Sequence, residues 1–252
     1  MPINGIKAVF YDLDGTLRTS NPPARDAFVE QAAGLGLLVT AEDRLRTMRW
    51  EHSYFAESDE VRADRAAFPE NDAFWMNYSR RQLIALGAAP ELAEKLVLPL
   101  HQYMNEHYRP DDILMPDVHQ ALNTLKEAGY ILAVVSNRDT PYQEYLQQIG
   151  LGEYFHFSLA AGQVNSWKPD GAIFAHALRM AGVKAEETIY VGDNYFADVV
   201  GARNAGMKPV LLDVQGVFEQ AGCPVIRSHT QLLDLLEQGE IRAGYKSRLR
   251  PV

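Results

Sequence analysis

The chain has 252 residues, of which 47% are hydrophobic and 23% are charged, an ordinary composition for one globular domain or for one core with a modest insertion. Its net charge of −9 argues against a nucleic-acid partner, because binding to a phosphate backbone needs a basic face. The single cysteine, Cys223, excludes an internal disulfide framework, and no apolar run reaches the roughly 18–20 residues of a membrane span.

The first predicted element is a buried strand close to the N-terminus. The opening residues, MPINGIKAVF, lack the pattern of a signal peptide, so we expect a cytoplasmic protein. Residues 6–12 (IKAVFYD) form a short apolar run that is typical of a strand buried on both faces. From Arg18 to Asp112 no convincing strand is predicted, and helical patterns fill the stretch, among them Ala24–Ala33, Asp72–Leu86 and Glu91–Tyr108.

After Pro116 strands alternate with helices. The predicted order is helix Val118–Ala128, strand Tyr130–Val135, helix Tyr142–Ile149, strand Phe157–Leu159, helix Pro169–Ala181, strand Thr188–Val191, helix Asp198–Ala205, strands Pro209–Asp213 and Val225–Arg227, and helix Gln231–Gln238. This alternation predicts an α/β fold with a Rossmann-like, doubly wound parallel sheet. Residues 1–17 and 113–252 form its core, and residues 18–112 form an inserted, all-helical cap domain. Ligands of such sheets bind beyond the carboxyl ends of the strands.

Two carboxylates follow the first strand, in the segment Asp12-Leu13-Asp14-Gly15-Thr16. A carboxylate can attack phosphorus, and a second one nearby can protonate the leaving oxygen and then activate water. Gly15 permits a sharp exit from the strand, and the hydroxyl of Thr16 can tie the loop. The same residues also fit an ordinary Asp-Gly turn with two solvated acids, and this motif alone does not decide between the two.

Two further strand ends carry weaker signals. Ser136 and Asn137 follow the second core strand, where a hydroxyl and an amide can donate to phosphate oxygens, although Ser-Asn is also common turn chemistry. Lys168 precedes Pro169 at the start of a predicted helix. Its charge there would stabilise a phosphate and a nucleophilic carboxylate, but most single lysines are surface residues.

The last strand end is acidic again, with Asp193 directly after the strand and Asp198 five residues later. Carboxylate oxygens are the ligands that Mg²⁺ prefers, so Asp193 is a candidate metal ligand. Asp198 has two alternatives: it caps the following helix, or it orients Lys168 or a ligand.

The order and spacing of these four strand ends resemble the haloacid dehalogenase-like hydrolase superfamily, in its branch with a helical cap between the first and second motifs. Asp12–Thr16, Ser136, Lys168 and Gly192–Asp198 resemble its four motifs, and Gly201–Gly206 resembles its continuation after the acidic motif. The resemblance covers nearly the whole chain.

The resemblance implies a role for each residue. Asp12 would be the nucleophile and a ligand of Mg²⁺, and Asp14 would be the general acid/base, with its backbone carbonyl on the metal. Ser136 and the Asn137 amide would hold the phosphoryl oxygens, and Lys168 would neutralise charge. Asp193 would complete the metal site, with Thr16 and Asp198 in support.

Asp14 discriminates between reactions within this family. Relatives that cleave carbon–halogen bonds lack an acid at this position, and phosphonate-cleaving relatives carry a small residue there, so Asp14 favours phosphate esters. We therefore expect a magnesium-dependent phosphatase that hydrolyses a small phosphorylated metabolite through an aspartyl-phosphate, with no nucleic-acid or membrane partner. A phosphomutase with the same nucleophile and a catalytically silent binding scaffold are the alternatives. The cap is expected to be a lid that influences substrate choice. The substrate and the oligomeric state are not written in the sequence.

Overall fold

The computed structural model describes residues 5–218 and 220–241. The chain divides into two compact units: Met1–Thr19 with Leu114–Val252, termed the core unit, and Ser20–Ile113, termed the insert unit. Across the described ranges, every helix is too short or too polar to cross a membrane. The basic residues of the C-terminal tail, for which the sequence predicts a solvated end, lie outside the described residues; they are Lys246, Arg248 and Arg250.

The first half of the chain contains one core strand, a pair of short strands and five helices. In chain order these are β1 (Ala8–Tyr11), β2 (Arg18–Asn21), α1 (Ala24–Gly34), α2 (Ala41–Tyr54), α3 (Asp59–Ala67), α4 (Asn71–Ala85), α5 (Pro90–His107) and β3 (Asp111–Leu114). Strands β2 and β3 pair as a two-stranded sheet. The prediction that no strand occurs from Arg18 to Asp112 is therefore wrong at both ends of the insertion. The strands have the sequences RTSN and DDIL, which lack the apolar alternation that would have revealed them.

The second half alternates strands and helices. The elements are α6 (Val118–Glu127), β4 (Ile131–Ser136), α7 (Gln143–Gln148), β5 (Phe157–Ala160), α8 (Ala161–Val164), α9 (Gly171–Ala181), β6 (Thr188–Gly192), α10 (Gly201–Asn204), β7 (Lys208–Leu212), β8 (Val225–Ile226) and α11 (Thr230–Glu237). A wider, π-helical turn over Tyr195–Val200 precedes α10, so the helical segment predicted from Asp198 begins three residues earlier.

Six of the strands form one parallel sheet in the order β5-β4-β1-β6-β7-β8. The chain leaves β1 toward one edge, through β4 and β5, and then returns to the other side of β1 for the rest. Tyr11, the last residue of β1, is opposite Val134 of β4 and Val191 of β6. The carboxyl ends of these three strands therefore meet where the strand order reverses, the usual ligand position of such sheets. The predicted α/β fold is confirmed.

Helices cover both faces of this sheet because successive side chains of β1 point to opposite sides. Val9 and Tyr11 belong to a buried cluster that includes Leu122 of α6 and Leu232 of α11. Ala8 and Phe10 belong to a second cluster, shared with α9 and α10 and containing Ile173, Phe174, Ala177 and Ala202. Burying each large apolar side chain contributes about 1.5–3 kcal/mol, so β1 is held firmly from both faces.

The insert unit is helical and has an apolar core of its own, with Phe28 of α1, Leu83 of α4 and Leu100 of α5 among its buried residues. It also buries a carboxylate, Glu51, which accepts hydrogen bonds from Tyr78 Oη and Gln82 Nε2 at 2.9 and 2.8 Å and is paired with Arg25. Burial raises the pKa of Glu51, and Arg25 opposes that rise.

Candidate active site

Asp12 is the first residue beyond β1 and is 7% exposed. Its backbone N–H donates to the carbonyl of Val191 at 2.9 Å, which ties it to strand β6. One side-chain oxygen, Oδ1, accepts a hydrogen bond from Lys168 Nζ at 2.7 Å. A buried carboxylate of fixed position therefore lies at the centre of the sheet's carboxyl edge.

The turn after Asp12 is built against Asp193. Gly15 has φ of +88°, and a Cβ at this position would lie 2.4 Å from Asp193 Oδ2, so a larger residue does not fit. Thr16 Oγ1 donates to Asp193 Oδ1 at 2.8 Å, and the Asp193 N–H donates back to Thr16 Oγ1 at 3.0 Å. The carbonyl of Thr16 accepts from His229 Nε2 at 2.9 Å, because a carbonyl can only accept. These bonds join the first and fourth sequence motifs.

Lys168 lies inside this group with 2% of its surface exposed. Its ammonium donates to Asp12 Oδ1 and Asp198 Oδ1, both at 2.7 Å, and to Tyr190 Oη at 2.9 Å, which matches the three donors of lysine. The Tyr190 hydroxyl in turn donates to the carbonyl of Val135 at 2.7 Å. Burial disfavours the charged form of Lys168, but Asp12 and Asp198 outweigh it and raise the lysine's pKa. The lysine is therefore a permanent cation of the site.

Asp198 orients Lys168 and does not cap the helix that follows. Its Oδ1 accepts from Lys168, and its Oδ2 accepts from the N–H of Asn194 at 2.9 Å. The cap is Asn194, whose side-chain oxygen accepts from the N–H groups of Phe196 and Ala197 at 3.0 Å. Of the two alternatives for Asp198, the structure therefore shows the contact with Lys168.

Three carboxylates of this edge have the arrangement of a cation site. Asp12, Asp193 and Asp198 each offer an oxygen, and these oxygens lie within 4.8 Å of one another. Burial, followed by the charge of Asp198, raises the pKa of Asp193 to about 7. Burial also raises the pKa of Asp12, against the effect of Lys168. Three acids balanced by one ammonium leave a deficit of positive charge, and a donor set of oxygen atoms suits Mg²⁺. The residues present therefore fit a hard divalent cation.

The two predicted phosphate ligands differ in what they contact. Ser136 is buried at the carboxyl end of β4, opposite Ala160. The Asn137 amide pairs with the backbone of Lys168: Nδ2 donates to its carbonyl at 3.0 Å, and Oδ1 accepts from its N–H at 2.6 Å. Asn137 thus anchors the lysine loop, whereas the expectation from sequence was a contact with phosphate.

The carboxylate of Asp14 is held by two arginine side chains. Arg138 donates to it with two nitrogens, Nε to Oδ2 at 2.9 Å and Nη2 to Oδ1 at 2.8 Å. Arg18 Nη1 adds a third hydrogen bond to Oδ1 at 3.2 Å. The predicted contact between a metal and the Asp14 backbone carbonyl stays a prediction.

Three residues of this region were missed by sequence reasoning: Tyr190, Arg138 and His229. Tyr190 and Arg138 each carried a signal. Tyr190 lies in the strand that precedes Asp193, and Arg138 lies two positions after Ser136. His229 lies far along the chain from Thr16, and nothing in its sequence context points to the contact.

A sequence model of a hydrolase family, the haloacid dehalogenase-like hydrolases, matches residues 6–206. The chain belongs to the haloacid dehalogenase-like hydrolase family. This hydrolase is 32% identical to a glyceraldehyde 3-phosphate phosphatase from Methanopyrus kandleri, over 81% of the chain and 83% of the relative. It is 29% identical to a phosphoserine phosphatase from Thermus thermophilus, over 82% of the chain and 89% of the relative.

One similar solved structure agrees with this family. A 2-haloacid dehalogenase from Pseudomonas syringae shares 27% identity with a TM-score of 0.51, covering 92% of this chain and 99% of that one. The resemblance inferred from sequence is confirmed by these matches. The names of the two phosphatase relatives agree with the predicted enzyme class, a phosphoric monoester hydrolase.

Proposed function

We propose that this hydrolase is a magnesium-dependent phosphatase that cleaves small phosphate monoesters through an aspartyl-phosphate on Asp12. The observation that carries the proposal is the buried Asp12 carboxylate, 2.7 Å from Lys168 Nζ and grouped with Asp193 and Asp198 at the carboxyl edge of the sheet. An anionic oxygen beside a permanent cation and a cation site is what attack on a phosphoryl group requires.

The first half-reaction transfers the phosphoryl group to the enzyme. An oxygen of Asp12 bonds to phosphorus, the ester P–O bond breaks with its electron pair on the ester oxygen, and Asp14 supplies the proton that this oxygen needs. Lys168 offsets negative charge on Asp12 and on the transferred group, and Ser136 donates to a phosphoryl oxygen.

The second half-reaction returns Asp12 to its starting form. Asp14, now ionised, takes a proton from water, whose oxygen bonds to phosphorus while the bond to Asp12 breaks. Inorganic phosphate leaves, and no other reactant is consumed. Asn137 and Asp198 keep Lys168 in place throughout.

Asp12, Asp193 and the backbone carbonyl of Asp14 would hold the Mg²⁺ ion. When bound, Mg²⁺ would screen the acids from one another and from the incoming phosphate. The carboxylate donors among the described residues support this choice of metal.

The named relatives support a small phosphorylated metabolite as the substrate class, since one acts on glyceraldehyde 3-phosphate and another on phosphoserine. Asp14 supports an ester with a poor leaving group, because an alkoxide needs a proton as it departs and a halide does not.

Replacement of the nucleophile tests the proposal. Asp12→Asn should lower kcat on an aryl phosphate to background, because an amide cannot act as an anionic nucleophile, while the melting temperature stays close to that of the wild type. Asp234→Asn is the matched control, since it makes the same change at an exposed position of the same unit. Rapid quenching and mass spectrometry should find a phosphate adduct on Asp12 in the wild type. More than a trace of turnover by Asp12→Asn, with the control unaffected, would contradict the covalent mechanism.

A further inference from the structure

Arg138 donates hydrogen bonds to both carboxylate oxygens of Asp14, the proposed general acid/base. The two nitrogens of its guanidinium face the two carboxylate oxygens at 2.9 and 2.8 Å, the planar fork geometry that arginine makes with carboxylates. The guanidinium carbon lies 4.5 Å from the centroid of the Tyr145 ring and 5.6 Å from that of Tyr142, so aromatic faces support it. The Arg138–Asp14 ion pair is therefore bidentate and supported by the surrounding side chains.

This contact conflicts with the role proposed for Asp14. An oxygen of Asp14 has to face the ester oxygen of the substrate in order to exchange a proton with it. Both of its oxygens face Arg138, and Oδ1 also accepts from Arg18. The pair has to open before the first half-reaction can proceed.

A second carboxylate can open a carboxylate fork at low cost, because it restores the same two hydrogen bonds to the guanidinium. Arg138 lies two residues beyond Ser136, the proposed phosphate ligand, so a group close to the phosphate can reach it. The side chains of Arg138 and Asp14 are 30% and 40% exposed, which leaves the pair accessible to a solute.

We propose that Arg138 is a positioning residue that holds Asp14 until a carboxylate of the substrate takes its place on the guanidinium. The preferred substrates are then phosphate monoesters with a carboxylate close to the ester oxygen. Substrate recognition and the release of Asp14 become one event. This inference rests on the proposed phosphatase function and deepens it.

A pair of substrates that differ in one group tests the inference. The probes are phospholactate and the corresponding propanediol phosphate, in which a hydroxymethyl group replaces the carboxylate. In the wild type, kcat/KM for phospholactate should be higher by about tenfold or more, the usual effect of a charge-assisted hydrogen-bonded pair. In Arg138→Gln this ratio should fall to within about threefold of one. The KM for phospholactate should rise, because its carboxylate has lost its partner.

Two variants serve as controls. Arg138→Lys keeps the charge without the fork and should retain only part of the preference. Arg179→Gln removes the same charge from an exposed position of α9 and should keep the wild-type ratio. A melting temperature close to that of the wild type reports that Arg138→Gln is folded.

Three results would overturn the inference: no preference in the wild type, a preference that survives in Arg138→Gln, or an equal loss of kcat on both substrates. Failure of the phosphatase function itself is recognised separately. In that case the wild type would hydrolyse no aryl phosphate and form no adduct on Asp12, whereas failure of the inference alone leaves both intact.

Discussion

At the scale of single residues, the site divides its acids by what each one contacts. Asp12 and Asp198 share the ammonium of Lys168, Asp193 is bonded to Thr16, and Asp14 is paired with Arg138. The Asp12 carboxylate, beside a buried lysine and within the proposed cation site, is placed for attack on phosphorus. A carboxylate on a partly exposed arginine can change partner and suits proton transfer.

The variant Asp14→Asn should separate the two half-reactions. Asp12 keeps its partners, so attack remains possible, but an alkoxide leaves without a proton donor. Alkyl phosphates should therefore slow by about 10²–10⁴-fold, and an aryl phosphate with a good leaving group should lose less in its first step. The phosphate adduct on Asp12 should then accumulate, because the amide takes no proton from water. Quenched-flow kinetics and mass spectrometry measure both effects. A defect of equal size on alkyl and aryl phosphates would remove Asp14 from this role.

At the scale of elements, the turn between β1 and β2 depends on a single glycine. Gly15 combines a positive φ with a close approach to Asp193, so two separate penalties meet at one position. The first is backbone strain, of about 1–2 kcal/mol for a residue with a Cβ. The second is displacement of a proposed metal ligand.

A pair of glycine variants separates these penalties. Gly182, which ends α9, has φ of +65° and nothing within 4 Å of an added Cβ. Gly15→Ala and Gly182→Ala should both lower the free energy of unfolding by about 1 kcal/mol or more. Only Gly15→Ala should also lower kcat and weaken activation by Mg²⁺, about tenfold or more, because its methyl group pushes Asp193 aside. Denaturant unfolding and magnesium titrations give the two quantities. Equal kcat values for the two variants would show that the contact with Asp193 is unimportant.

Much of this architecture is predictable from sequence, because the core strands are short apolar runs between helices. The residues directly after β1, β4 and β6 could likewise be placed at one edge from the rule for parallel sheets. Asp12, Asp193 and Lys168 do lie together there, although their roles stay proposals. What the sequence does not contain is the direction in which a side chain turns. The Asn137 amide faces the Lys168 backbone and the Tyr190 hydroxyl reaches its ammonium because neighbouring strands place them there.

At the scale of the whole molecule, the clustered acids link stability to pH and metal. Without metal, burial and Asp198 raise the pKa of Asp193 from 3.8 to about 7. The folded state then holds a proton that the unfolded state releases between these values. The free energy of unfolding of the metal-free protein should therefore fall as pH rises through this window, by an amount on the order of a few kcal/mol.

Magnesium should offset this loss, because a bound cation replaces the proton as partner of the carboxylates. The increase in melting temperature that Mg²⁺ causes, relative to a chelator, should be small near pH 5 and larger near pH 8. Burial lowers the pKa of His229, which has the opposite effect on stability, but this contribution is common to both conditions and cancels in the difference. Asp193→Asn should flatten the dependence. A magnesium effect of equal size at both pH values would contradict this account, and full turnover in excess chelator would contradict the metal requirement.

The central position of β1 also has a consequence for how the protein is made. Ala8 leaves the ribosome early, yet its partners are Ile131 and then Thr188, on the two neighbouring strands. Strand β1 therefore has no partner strand until Ile131 has been synthesised. The core residues of the insert unit all precede Asp111, so that unit has its apolar core before β1 can pair. The site is completed only when β6 emerges and brings Asp193. A nascent chain that stops before Thr188 has the proposed nucleophile, Asp12, but lacks Asp193 and Asp198, so the proposed catalysis cannot begin until most of the chain has been synthesised.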